Sequence, residues 1–523
     1  EPVITPTPGP TPTPLLPAAA DDSENSGVVA VNAKIYDGTS STSSYSRSEL
    51  INLLDSNMYA IWEQSGVLTF RGGPLRQNAA YGVADIQQGK MSEYWKVPVE
   101  GTMRMSSGTN LNGVGWPGQA AIVKWPMEVR QLLDITDEAK ATTALKEVIV
   151  GAQNGKLYFM DLSSGTFTRE PIDVNWPSNG SVSVNTDGSP VVTFGQYYSI
   201  KADKTRLDNG LHIFSLLSNK QLELLDGRQK PMQTNYSGFS GAPLFDKISG
   251  AMIAAGQNGT LYLADLNTDF DYIADSLSLS PKYHRYTWNA PGEDDKMTQV
   301  DGSVAMYGPY AYFGDKEGVV QCVDVNTLTT VWAVKTGDQI VSTPALDMSA
   351  AGDAVTLYVG NMIQNDRKGS ASVFAYDALS GKLLWQFTAP DLSYDSKNSV
   401  GFVASPVVGQ GNVSDLVFYT ATSGESATLY ALRKADGSVA WSQPLAAPTE
   451  SSPVAVYNEA GDAWIVQGVS DGRLFMLKAE SGTVVDTMQL EGSLRASPVV
   501  YRDVLIISTT GQDPSYIYAI ALE

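Results

Sequence analysis

The feature that most constrains this chain is a short pattern that returns eight times. An apolar residue is followed by an aromatic in seven copies, Asp comes three positions later in four, and four copies then carry a glycine turn. The second position of the pattern falls at Tyr158, Phe214, Tyr262, Gln321, Phe374, Tyr430, Phe475 and Tyr518, with Phe214 in the weakest copy. Successive copies lie 43 to 59 residues apart. Four short strands and their turns need about that length, which makes each copy one blade of a β-propeller. A chain of 523 residues could hold several average domains, but repeat arrays of this size form one unit.

The remaining strands fall into place around each marker. Upstream lies a strand headed by proline, at Ala242-Pro243, Thr343-Pro344, Ser405-Pro406, Ser452-Pro453 and Ser497-Pro498. Proline has no N–H to donate, so it suits the first residue of a strand near an axis or edge. Next comes an apolar strand ending on glycine, as in 147–151 before Asn154-Gly155 and 252–256 before Asn258-Gly259. The segment 463–468 before Asp471-Gly472 repeats the device. Asn-Gly and Asp-Gly supply the positive φ of tight hairpins. The marker strand follows, and then an outer strand carrying Trp332, Trp385 or Trp441. Charged residues make up only 17% of the chain against 47 glycines and 25 tyrosines, which fits short strands better than solvent-facing helices.

At these positions the chain resembles the quinoprotein-type (PQQ-like) propeller repeat, with its pattern Ala-x-Asp-x-x-Thr-Gly-x-x-x-Trp. The best copy is Ala375-Tyr-Asp377-Ala-Leu-Ser380-Gly381-Lys-Leu-Leu-Trp385, with Ser for Thr. The copy from Cys322 through Asp324 and Thr327 to Trp332 loses the glycine, and Ala431 to Trp441 keeps Gly437 but has Arg433 for Asp. Asp161 with Gly165, Asp265, and Gly482 belong to partial copies. The physical roles expected are structural. Asp accepts backbone N–H groups to fix a turn, Gly takes the left-handed conformation, and Trp packs against the neighbouring blade. The segment Trp62-Glu-Gln-Ser-Gly-Val-Leu-Thr-Phe70-Arg71-Gly72-Gly73 is similar to the one that precedes the first blade in this family.

The fold class expected is therefore all-β: an eight-bladed propeller of four-stranded antiparallel blades. The last copy ends at Glu523, just after its third strand, so its outer strand must come from elsewhere. Residues 93–99, with Trp95, Val97 and Val99, have the character to supply it and close the ring. The domain reading is 1–27 as a Pro/Thr-rich linker or tail, 28–92 as an extension packing on the ring, and 93–523 as the propeller. Residues 28–36 alternate loosely, as a strand would. Ser46-Arg-Ser-Glu49 before Leu50, Ile51, Leu53 and Leu54 reads as a capping box opening a short amphipathic helix.

Several functions are disfavoured. The net charge of −21 repels phosphate backbones, which argues against a nucleic-acid partner. No stretch reaches the ~18 apolar residues of a transmembrane helix. With one cysteine, Cys322, and two histidines, His212 and His284, a Cys/His zinc site is not expected. Asp265-Leu-Asn267-Thr-Asp269-Phe-Asp271 spaces its oxygens like a calcium loop, but lacks the Gly and Glu of an EF-hand, and reads as a blade turn. The aromatic run around His284, 282–288, reads as an outer strand, and Glu293-Asp-Asp295 as a solvated loop.

Neither a catalytic residue nor a cofactor is expected. The resemblance implies a non-enzymatic, monomeric scaffold that binds protein, on the BamB-like branch, the propeller lipoprotein of the outer-membrane β-barrel assembly machine. A carbohydrate- or cell-wall-polysaccharide-binding propeller is the alternative, raised by the abundance of Tyr and Trp. A PQQ-dependent dehydrogenase is the third, although its ring of adjacent cysteines has no counterpart here. The alternating Pro-Thr run at 1–14 resembles the spacers of Gram-positive surface proteins and places the chain outside the cytoplasm, secreted or lipid-anchored.

Overall fold

The computed structural model describes residues 27–54, 64–289 apart from Pro117, Gly180 and Pro231, and 298–523. The Pro/Thr-rich run, Trp62 and Glu293–Asp295 lie outside them. Among the described residues eight sheets follow one another in chain order as blades, each running antiparallel from an inner to an outer strand, beside two small hairpins that pair Asp269–Asp271 with Ser276–Ser278 and Met103–Arg104 with Asn110–Leu111. Blade 5 is typical, with Ala345–Met348, Val355–Gly360, Ser372–Asp377 and Leu383–Thr388 paired in that order. All eight marker residues sit in the third strand of a blade. Each expected proline stands immediately before an inner strand, as Pro344 does before Ala345.

The second and third strands are apolar on both faces because both faces are covered by neighbouring blades. Glu147–Gly151 is buried throughout, as are Tyr310–Gly314 and Leu416–Thr422. The core accordingly lies between blades rather than within one. Ile253 and Leu263 of blade 3 pack with Met306 and Phe313 of blade 4, and Val499 and Ile517 of blade 8 pack with Val148 and Tyr158 of blade 1. Such an array is stable only when every blade has a neighbour on each side, so closure matters.

Closure is made by Met91–Val99, which pairs antiparallel with Ser515–Leu522 as the outer strand of blade 8. The preceding residues reach it from the axis, since Ala80–Tyr81 pairs in parallel with Val500 and Tyr501 on the inner edge of the same blade. The N-terminal extension takes a third path. Lys34–Asp37 adds to the outer strand of blade 3, Lys282–Thr287, and is followed by Ser40–Thr42. The helix expected from Ser46 does not form over the described residues 46–54. Leu53 is bridged to Gly308, Ile51, Leu53 and Leu54 are buried, and Leu50 is 65% exposed. The bridge is extended-chain pairing, and backbone pairing with blade 4 outweighs the local capping signal.

Two buried ionisable groups respond to pH in opposite senses. His212 lies flat on Trp176, ring centroids 3.7 Å apart, with its ring nitrogens 2.7 Å from the Gln221 and Gln196 side-chain oxygens. Burial lowers its pKa to about 4. Burial raises the Asp315 carboxyl to about 7, against the N–H groups of Trp288, Val319 and Glu317. Between the unfolded and folded values the unfolded state binds more protons at His212, so its contribution is complete above pH ~6.5 and lost as pH falls through 4. Asp315 works the other way, since the folded state holds its proton as pH rises to 7. In His212→Gln the first effect is absent. The stability gap between parent and variant, measured by urea unfolding, should shrink by about 3 kcal/mol between pH 7 and pH 4.

Candidate functional site

Residues 65–81 occupy the axis of the ring, where a propeller has its channel. They touch the inner edge of every blade in turn. Val67 pairs with Ile122 of blade 1, and Leu68 accepts the Val184 N–H of blade 2. Thr69 donates its hydroxyl to the Pro243 carbonyl of blade 3 at 3.0 Å. Pro74, Leu75 and Gln77 accept the N–H groups of Met306, Leu346 and Val408, in blades 4, 5 and 6. The Asn78 side chain exchanges two hydrogen bonds with the backbone of Ala455 in blade 7, and Ala79 accepts from Val500 in blade 8. Thirteen residues thus complete one circuit and satisfy inner-strand groups that would otherwise face an open channel.

Two arginines rise from this plug, both fully buried and neither with a carboxylate partner among the described residues. Arg71 donates to the carbonyls of Pro453 and Pro406. Arg76 donates to Val304 and Ala242 carbonyls at 2.9 and 2.8 Å, and to Thr69 and Phe70 beside it. Burial pushes both guanidinium groups down to about 9, so they stay charged at neutral pH. Arg71 and Arg76 themselves adopt positive φ, near 57°, which folds the plug back on itself beside Gly72. The sequence marked this segment through Phe70-Arg71-Gly72, but not its place on the axis.

Above the plug, on the face where the inner strands begin, the residues heading the inner strands make a second ring, each before a proline except Ser303, which precedes Val304. Ser303 accepts the Ala242 N–H, Thr343 that of Ser303, Ser405 that of Thr343, Ser452 that of Ser405 and Ser497 that of Ser452. These bonds span 2.7–3.1 Å and link blades 3 to 8. Ser497 N–H then reaches the Gly118 carbonyl of blade 1. The Ser/Thr-Pro headings therefore tie blades together as well as starting strands.

The repeat residues sit at the blade boundaries. Trp332, Trp385 and Trp441 each donate the indole N–H to a turn carbonyl of the next blade, at 2.7–2.9 Å. Trp95 does the same to Leu162 of blade 1 at 2.9 Å. Each ring covers the turn glycine of that next blade. A Cβ built on Gly381, Gly437, Gly482 or Gly165 would stand 2.5–2.8 Å from Trp332, Trp385, Trp441 or Trp95 respectively. A one-residue bulge precedes each tryptophan, skipping Val331, Leu384, Ala440 and Tyr94, and turns the indole toward its glycine. Gly437 also has φ +73°. Gly437→Ala therefore meets both strain and a clash, and should lower stability by about 2 kcal/mol in a urea melt.

The turn aspartates are not equivalent. Asp161, Asp324 and Asp377 accept backbone N–H groups two residues on. Asp265 instead pairs with Arg47 of the extension and lies 3.6 Å from His284. Asp271 accepts the N–H groups of Ile273 and Ala274 at a hairpin, so the calcium-like spacing does not gather its oxygens. Among the described residues no group of three His, Cys, Asp or Glu stands together. Val97 and Val99 face the blade 1 boundary, and Cys322 is buried in the blade 4–5 core.

Concavities open on both faces of the disc. On the upper face, a polar cleft of about 310 Å³ between blades 6 and 7 is lined by Lys397, Asn398, Ser423 and Ser470, with Arg495 paired to Glu450. On the lower face a depression of about 340 Å³ is lined by the plug at Gly72, Gly73, Gln77 and Asn78, beside Gln410 and Tyr457.

Residues 284–462 match the family model described as outer membrane protein assembly factor BamB. No curated protein matches the chain. Among solved structures it is similar to BamB from Moraxella catarrhalis, with 12% identity and a TM-score of 0.50 over 83% of this chain and 100% of that one. It is also similar to the quinohemoprotein alcohol dehydrogenase ADHIIG of Pseudomonas putida HK5, with 11% identity and a TM-score of 0.58 over 91% and 83%. At these identities the likeness is one of fold.

Proposed function

From the premise that the chain belongs to the PQQ-like β-propeller family, we propose that it is a non-enzymatic, protein-binding scaffold acting outside the cytoplasm. The observation that carries this reading is the axial plug. Residues 65–81 use the inner-strand groups of all eight blades, so the axial space holds this chain's own backbone and two arginines. A calcium-bound quinone does not fit there, and the buried Cys322 has no second cysteine to pair with. What is left for recognition is the surface: two disc faces and the blade rims. The BamB-like family match supports a protein as the partner, and the Pro-Thr run supports tethering at a cell surface.

The test places a photo-crosslinking side chain at Ser470 on the upper face and at Leu384 on a rim. The expected result is one recurring protein adduct from one of these sites. Binding to cell-wall polysaccharides on a glycan array, without a protein adduct, would favour the carbohydrate reading. Alcohol-dependent dye reduction after adding quinone and calcium would overturn the non-enzymatic one.

A further inference from the structure

In blades 4 to 7 four or five residues join the third strand to the fourth, as from Asp324 to Thr329 and from Asp377 to Leu383. Blade 3 instead runs from Asp265 to Lys282, and the added chain folds into the hairpin of Asp269–Asp271 and Ser276–Ser278 on the lower face. Blades 4 to 7 are complete without such an insertion. The paired residues Phe270 and Leu277 pack inward, Phe270 against the blade 1–2 core and Leu277 against the blade 2–3 core. The tip is as firmly built as the base. The Asp271 carboxylate accepts the N–H groups of Ile273 and Ala274 at 2.8 and 3.0 Å, and Asp275 takes a positive φ of 51°. What this turn displays is apolar, with Ile273 98% exposed and Tyr272 44%.

An isoleucine held in water by an ordered turn is unfavourable for the free protein, and covering it is favourable for a partner. The charges around it are acidic. Asp269 and Asp275 stand exposed on the hairpin itself. Burial, and then the carboxylates of Asp187 in blade 2 and Glu128 in blade 1, raise the pKa of the Tyr272 hydroxyl, so those two acids border the tip as well. Beside Glu128, Met127 is 57% exposed. We infer that this surface docks a basic amphipathic segment of a partner protein, its apolar stripe on Ile273 and Tyr272 and its lysines or arginines facing Asp269, Asp275 and Glu128. The acidic rim disfavours the two other occupants. It repels an anionic membrane, and a second copy would bring like charges face to face. The inference rests on the scaffold reading and gives it a location and a partner chemistry.

The probe is a peptide of about 18 leucines and lysines patterned as an amphipathic helix. Fluorescence anisotropy follows its binding to the full chain, to Ile273→Ser, which leaves every charge in place, and to Asp269→Asn/Asp275→Asn. The expected result is binding that weakens about tenfold or more in Ile273→Ser. In the aspartate double variant binding should weaken with a shallower salt dependence. Tm should be level throughout, because all three side chains face water. Equal binding by the parent and Ile273→Ser would overturn the inference, since general attraction to an acidic protein would then suffice. So would phosphatidylcholine vesicle binding that Ile273→Ser abolishes, which marks a lipid contact, or a sedimenting dimer that it dissolves, which marks a second copy. Failure here combined with a protein adduct at Ser470 or Leu384 would remove this surface and leave the scaffold reading standing.

Discussion

Arg76→Ala should unfold at a clearly lower urea midpoint than the parent chain, losing about 4 kcal/mol. The guanidinium serves carbonyls of Phe70, Ala242 and Val304 and the hydroxyl of Thr69, all within the closed axis. Truncation leaves three buried carbonyls short of a donor and a void where the side chain stood. The charge is not the source of the stability, because burial has already brought the group down to about 9. Arg76→Met separates the two contributions, since it fills the volume and donates nothing. It should recover the part of the loss that comes from the cavity and leave the part that comes from orphaned carbonyls. If Arg76→Ala unfolds within about 0.5 kcal/mol of the parent, the plug is not the structural centre described above.

Removing residues 91–99 should have the second large effect, a steep fall in Tm with aggregation on heating. Without them the strand Ser515–Leu522 becomes an edge, and its outward N–H and C=O groups lose every partner. Val97 and Val99 leave the blade 8–blade 1 core, and the contact of Trp95 with Gly165 and Leu162 is lost. In a closed ring that boundary is as necessary as any other, and opening it exposes two blade faces. Trp95→Ala tests the tryptophan alone and should cost about 3 kcal/mol. An unchanged melt after deleting the strand would mean that the ring does not depend on this closure.

The eight markers, the proline-headed inner strands and the closing strand were legible because each is written locally. Period-two apolar runs, Asn-Gly turns and a missing fourth strand are readable without knowing what they touch. The Asp-x-x-Ser-Gly turns of the repeat were legible for the same reason, as their hydrogen bonds close within three residues. Ser46–Leu54 misled because the same apolar residues can serve a helix turn or extended chain, and only contact with Gly308 chooses between them. Asp265 carries the turn signature but is held by Arg47, 218 residues away in sequence.

What the sequence by itself determined is the ring: how many blades, in what order, and how it is shut. What only the tertiary structure decided is what fills the middle and what meets across each seam. Arg71 and Arg76 look like ordinary basic residues in a glycine-rich loop, and nothing local announces that eight inner strands will converge on them. Lys146 and Arg502 come together only because blade 8 meets blade 1. Repeats are specified by short-range hydrogen bonding and apolar period, whereas an axis and a seam exist only once distant strands have been brought side by side.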